Sequence, residues 1–306
     1  MRMAYLILAH ENAAQLDALL SVLVPPASPD VAIVHADKRS ALWQALRRRP
    51  ADPSGRVRVI ADPVAVRWGH MSQVEAIARL VRDAAGTGCD YAHLISGADW
   101  PAVTRADLAA QLASSGGLCH VEAIPGHHEE RMETFRFDTP WLRLDPRRDA
   151  RAYAVTWELR RLARWLDAAR AAIGARRSLP YGRWHYGSQW WSLPADALAL
   201  LARELPRLLA STRLWGTVCS DEHVVPTIIA QAFPARLAGH RRFIRFPPGQ
   251  SSPRLLDAGD RHAIAESEAW FIRKVATAHD PFFLTMPAAI TLPEPISVRD
   301  ESIFRV

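Results

Sequence analysis

Lysine is almost missing from this chain: of 38 lysine and arginine residues, only Lys38 and Lys274 are lysines. Positive charge is therefore carried by guanidinium groups, and each ammonium stands out as a compact point charge. Cysteine is scarce as well. Cys89, Cys119 and Cys219 are odd in number, far apart and without C-x-x-C spacing, which fits free thiols in a reducing, cytoplasmic compartment better than a disulfide framework. No apolar run approaches the ~18 residues of a membrane span. The N-terminus carries one arginine and a short apolar segment, but His10-Glu11-Asn12 stands where a signal peptide would have small residues at its cleavage site. It reads as a buried first strand. Also missing are G-x-G-x-x-G and Walker-type glycine loops, so dinucleotide and P-loop binding lack their signatures.

What is present suffices for a packed core: 49% of the 306 residues are hydrophobic and 23% charged, a balance no disordered chain has. The net charge of +6 is spread along the chain and mixed with acids, with one concentration over residues 143–177. Without zinc-finger spacing or an aromatic RNA-binding signature, this pattern argues against nucleic acid as a partner and leaves peripheral association with a membrane surface open.

Hydrophobic periodicity alternates between short apolar runs and amphipathic segments. Runs at residues 5–9, 31–35, 56–60 and 91–95 read as strands; Ala13–Leu23, 41–47 and Ser72–Ala85 read as helices. Such alternation predicts an α/β fold with a largely parallel sheet and functional loops at the carboxyl ends of its strands, where His10, residues 35–40 and residues 96–101 fall. Further on, residues 117–122 read as a strand, 152–175 as one long helix, 187–194 as a strand entering a helix over 195–209, 242–246 as a strand, and 263–275 as a helix. The expected layout is one domain over residues 1–285 and an irregular, proline-bearing tail over 286–306, with no internal repeat.

Val218-Cys219-Ser220-Asp221-Glu222-His223 draws attention by itself. It precedes an apolar run to Ala232, so the segment predicts a helix from Asp221 with Ser220 or Asp221 as N-cap. An Asp-Glu pair there is ordinarily only a cap and a partner for the helix dipole. Trp190 and Trp191 alternate along a strand, so one is expected in the core and the other on a cleft. Asp99 in Gly97-Ala98-Asp99-Trp100-Pro101 either orients an acceptor or caps its own turn. His127, His128 and His120 lack a third ligand at convincing spacing, so no metal is expected.

Several segments in order resemble one family: residues 5–10 before an apolar helix; Val34-His35-Ala36-Asp37-Lys38-Arg39-Ser40; Val66-Arg67-Trp68-Gly69-His70-Met71-Ser72-Gln73; His93-Leu94-Ile95-Ser96-Gly97-Ala98-Asp99-Trp100-Pro101; Gly187-Ser188-Gln189-Trp190-Trp191; Ser220-Asp221-Glu222; and Phe271-Ile272-Arg273-Lys274. Together they are similar to the core-2/I-branching N-acetylglucosaminyltransferases and peptide O-xylosyltransferases of glycosyltransferase family 14, over about residues 4–276. The resemblance implies a GT-A-type (Rossmann-like) α/β domain that transfers N-acetylglucosamine or xylose from a UDP-sugar, with inversion and without a cofactor or divalent metal. It assigns the catalytic base to Glu222, the diphosphate to Lys274 and Arg254, and the uridine side to Asp37 and Trp68. Its Pro-Ser-His-Lys-Glu-Glu-Arg motif falls on residues 125–131, with His128 in place of the lysine. Arg131, Asp99, Trp190 and Phe246 are the acceptor-side residues expected, and a glycan, a lipid-linked glycan or a peptide the acceptor.

The chemistry is coherent from the residues. An inverting transfer needs one general base, worth ~10²–10⁴ in rate, where a glycosidase needs two carboxylates flanking the bond. No Asp-x-Asp pair is present to hold a metal, and fixed cations can take up the charge of the leaving diphosphate instead. Two other readings stand beside this one: a non-catalytic carbohydrate- or anion-binding protein on the same fold, and a basic protein that binds nucleic acid or a membrane surface.

Overall fold

The computed structural model describes residues 1–134, 150–174, 181–211, 213–250 and 252–286. Its centre is made by the apolar runs. Strands β1 (Met3–Ala9), β2 (Val31–Ala36), β3 (Val57–Val59) and β4 (Tyr91–Ser96) lie parallel in the order β4-β1-β2-β3, with Leu6 level with both Ile33 and Leu94. These runs are continuous rather than alternating because both faces of the sheet are covered, as parallel sheets require. Ala4, Leu6, Ile33 and Leu94 pack on one side against α3 (Ser72–Ala85), while Tyr5, Ile7 and Val34 pack on the other against α1 (Ala13–Leu23) and α2 (Ala41–Leu46). Each fully buried leucine or isoleucine contributes roughly 1.5–3 kcal/mol.

The same sheet continues past β4. After β5 (Asp99–Pro101), which leaves it, come β6 (Cys119–His120), β7 (Ile124–Pro125), β8 (His185–Tyr186), β9 (Ser192–Pro194) and β10 (Leu237–Ala238). The seven-stranded order is β10-β6-β9-β4-β1-β2-β3, with β9 antiparallel to both its neighbours. Helix α4 (Arg105–Ser114) completes one face. Beyond α5 (Glu130–Glu133), α6 (Ala150–Val155) and α7 (Trp157–Ala172), α8 (Ala195–Ala210) and α9 (Val224–Ala232) complete the other. This is the expected α/β, GT-A-like architecture. A second sheet, β11 (Arg242–Ile244), β12 (Phe271–Arg273) and β5, and a third, β7 with β8, build the site.

Several expectations are corrected. Residues 263–275 are not one helix: α10 (Arg261–Glu266) ends, Glu268 takes a left-handed conformation at φ 53°, and β12 follows. Pairing of β12 with β11 and β5 outweighs the local helical pattern. The long helix expected over 152–175 divides at Thr156 into α6 and α7; residue 175 lies outside the described residues, as do parts of the arginine-rich stretch 143–177. The strand expected over 187–194 is confined to β9, and Ser188, Gln189 and Trp190 line a cleft instead. Met286 is buried in the core, and the remainder of the expected irregular tail lies outside the described residues. Among the described residues, no helix is long and apolar enough to cross a membrane.

Candidate active site

The floor of the site follows from strand register. In the second sheet Ile244, Arg273 and Asp99 are directly opposite one another across β11, β12 and β5. Cross-strand neighbours of this kind interact on one face, and Arg273 Nη1 meets Asp99 Oδ1 at 2.6 Å while also donating to Ser96 Oγ. Asp99 accepts the Ser96 N–H at 2.9 Å, so it pins its own loop from beneath. The Arg273 guanidinium lies 4.4 Å from the centroid of the Trp190 ring, a cation–π contact that fixes the indole as a wall. One strand over, Arg242 is buried. Its Nη2 donates to the Trp191 carbonyl at 2.9 Å and to Ser192 Oγ at 3.0 Å, and its guanidinium lies over Phe271. Burial lowers its pKa to about 9, still above neutrality, so a cation underlies the cleft.

Above this floor opens a cleft of about 340 Å³, within the range of ligand sites. Trp190, Tyr186 and Phe246 supply aromatic walls; Glu122, Glu222, Arg242 and Arg273 supply charge. A loop binds the two carboxylate sides together. The Gly187 N–H donates to the Glu222 carbonyl at 2.8 Å and the Ser188 N–H to Glu122 Oε2 at 3.0 Å. Residue 187 must be glycine here, since a Cβ would sit 1.9 Å from the Glu122 carbonyl oxygen.

Residues 219–223 depart from the expected capped helix. Cys219 is left-handed (φ 52°), Ser220–Glu222 form a single 3₁₀ turn, and α9 begins only at Val224. Neither Ser220 nor Asp221 caps: Ser220 Oγ is buried without a partner, and Asp221 accepts from Gln73 Nε2 at 3.2 Å instead. Burial, with the neighbouring Glu222 charge, pushes Asp221 up to about 7. Glu222 itself is raised by burial and not lowered by a helix dipole as expected; what opposes the rise is Arg131, whose Nη1 donates to Glu222 Oε2 at 2.9 Å. A partly desolvated carboxylate beside one cation is a competent proton acceptor at neutral pH.

The other predicted residues divide into groups. Glu222, Arg131, Trp190 and Phe246 meet at the cleft, with Asp99 behind Arg273 and away from the cleft surface. Trp191 is fully buried, as one of the tryptophan pair was expected to be. Asp37 and Trp68 belong to a second neighbourhood at the carboxyl end of β2: Arg39 pairs with Asp37 at 3.4 Å and donates to the Val66 carbonyl, joining the two loops. Trp68 is 72% exposed. Its neighbour Gly69 accepts from the Cys219 N–H at 2.9 Å, so this loop abuts the turn that carries Glu222. Lys274 follows the cleft residue Arg273 directly on a strand end, not on a helix; burial and Arg273 lower its pKa, while Glu11 and Asp99 oppose the shift. The Arg254 guanidinium is turned to Asp260 at 2.5 Å, away from a free phosphate-binding pose. Sequence reading missed Gln73, which donates to Asp221 and reaches Gln189, and also Glu122, Tyr186, Arg242 and Arg273. Arg273 alone had a signal, its place beside Lys274. Among the described residues, no group of three or more His, Cys, Asp or Glu has metal-holding geometry.

Comparison with known proteins bears on this arrangement. The family model described as Branch: Core-2/I-Branching enzyme matches residues 3–254, which includes Glu222, Arg131 and the Gly187–Trp190 loop and stops short of Lys274. No curated protein matches the chain. Most of the chain is matched, across both the strand-end loops and the cleft, and the protein therefore belongs to the Core-2/I-branching enzyme family of glycosyltransferases, which take a sugar donor and a glycan acceptor.

Proposed function

We propose that this protein is an inverting, metal-independent transferase that moves N-acetylglucosamine or xylose from a UDP-sugar to a hydroxyl of a glycan. The observation that carries the reading is the Glu222–Arg131 pair, 2.9 Å apart, at an aromatic-walled cleft. The acceptor hydroxyl attacks the anomeric carbon, Glu222 takes its proton, and the bond from that carbon to the UDP oxygen breaks as the new one forms. Arg131 holds Glu222 ionised and oriented. Lys274, with Arg273 beside it, stabilises the departing diphosphate; each charge-assisted hydrogen bond contributes ~1.5–3 kcal/mol. Support for a reaction without a divalent ion comes from Asp99, the carboxylate of the strand-end loop, which is already neutralised by Arg273. Asp37 and Trp68 frame the uridine in this reading. Cys89, Cys119 and Cys219 are buried and form no disulfide, which fits a cytoplasmic setting.

Glu222→Gln tests the core of the proposal. Transfer should fall ~10²–10⁴-fold while UDP binding, measured by thermal shift, stays intact; undiminished transfer refutes Glu222 as the base. A panel of UDP-sugars in the same assay identifies the donor. Lys274→Ala should weaken UDP binding about tenfold or more, and activity should persist in excess EDTA.

A further inference from the structure

Exposed apolar side chains are not spread evenly over this molecule. Of the fourteen large ones among the described residues, six, Val155, Trp157, Leu159, Leu162, Trp165 and Ile173, lie between residues 155 and 173. Helix α7 has one buried residue, Ala163. At 100° per residue, Leu159, Leu162, Trp165 and Ile173 share a stripe about 120° wide to one side of Ala163, and they are 52%, 52%, 65% and 80% exposed. Water is a poor partner for such a face. Arg161 borders it on one edge and Arg170 on the other, while Glu158 falls within it. Residues 150–174 hold five arginines against two acids, and one of those acids, Glu158, is paired with Arg161 at 3.5 Å.

We propose that α7 lies in the plane of an anionic lipid surface, its stripe sunk among the acyl chains and its arginines among the headgroups. An amphipathic helix with aromatic and aliphatic residues on one face and basic residues on its flanks has the chemistry of an interfacial helix. Charge complementarity selects the partner. A second copy of this chain would bring the same arginine-rich edges together across a two-fold axis. A nucleic acid would leave Leu159, Leu162 and Ile173 in water, since its recognition rests on phosphate charge. In sequence, the excursion leaves the cleft after Arg131 and returns at Tyr186, so the lipid-facing helix is rooted at both ends in residues of the site. The proposal is independent of the transferase reading and stands or falls apart from Glu222.

Vesicle flotation tests it, with phosphatidylcholine alone and with about 30% phosphatidylglycerol, a charge density that polybasic segments sense. The intact chain should float with the anionic vesicles and should release in about 0.5 M salt, where screening is strong. Leu162→Glu with Trp165→Glu should cut the bound fraction about tenfold or more, and Arg161→Glu with Arg170→Glu should do likewise. Both pairs lie on the surface, so the thermal midpoint should not move. Failure of the intact chain to float, equal binding to neutral vesicles, or unaltered binding by both double variants overturns the proposal. So does a dimer seen by sedimentation that Leu162→Glu with Trp165→Glu dissociates, or capture by duplex DNA in place of vesicles.

Discussion

Two carboxylate–arginine pairs stand at the site and differ in what surrounds them. Asp99 and Arg273 are 1% and 17% exposed, bonded into a strand register and stacked under Trp190. Glu222 and Arg131 are 31% and 27% exposed, joined by a single close contact, and open on the cleft. In the first pair both carboxylate oxygens are bonded, to Ser96 and Arg273, and the pair holds walls. The second lines the cleft with a carboxylate bonded through one oxygen, as the proposed base requires. Identical chemistry thus yields a strut in one place and a reactive group in the other, and burial decides which.

Breaking the buried pair should have the largest effect. Asp99→Ala leaves the Arg273 cation with no counter-charge in a largely desolvated place and should cost about 3–5 kcal/mol of folding stability, read by urea unfolding. Stability within about 1 kcal/mol of the parent would show that the pair is not a strut. Arg131→Ala breaks the open pair with little effect on folding. It removes the group that holds the Glu222 pKa down against burial, so that pKa rises and the acid limb of the pH–rate profile moves to higher pH. Transfer by the variant should therefore be slowed more at acid pH than at pH 8. An unmoved limb would mean that Arg131 does not govern the base.

Asp221 sharpens the contrast, being a buried carboxylate with no arginine bonded to it. Its pKa is 3.8 in an unperturbed chain and about 7 in the native protein. Between those values the folded state binds more protons than the unfolded state, so stability falls as pH rises through that window. Asp221→Asn should flatten this dependence and raise stability at pH 8 relative to the parent. Unfolding midpoints at pH 5 and pH 8 measure it, and an unchanged slope would assign the dependence elsewhere.

Elements whose burial is set by their own sequence were legible. Helices Ala13–Leu23 and Ser72–Ala85 fall where periodicity predicts, and the runs that became β1, β2 and β4 are apolar enough to declare two covered faces. β12 was not legible, because three residues pair only in the company of β11 and β5, which come from distant parts of the chain. Helix α4 was overlooked although Thr104 caps it by accepting from the Asp107 N–H, a signal present in the sequence. At the site, Glu222 and Trp190 could be found from motif and alternation. Arg242 could not: nothing local distinguishes it from the other arginines, and its partners are carbonyls and a hydroxyl some fifty residues away. The helix dipole invoked for Glu222 failed because the chain inserts a 3₁₀ turn ahead of α9.

Gly187 has a bearing on attempts to redesign the enzyme. Its amide is tied to Glu222, and its missing side chain lets the backbone pass against Glu122. The cleft wall at residues 187–190 and the proposed base are therefore one mechanical unit. Variant libraries aimed at new acceptors should leave position 187 fixed and diversify Tyr186 and Phe246 instead. Changes that shift the 187–190 loop should be expected to appear in turnover as much as in affinity.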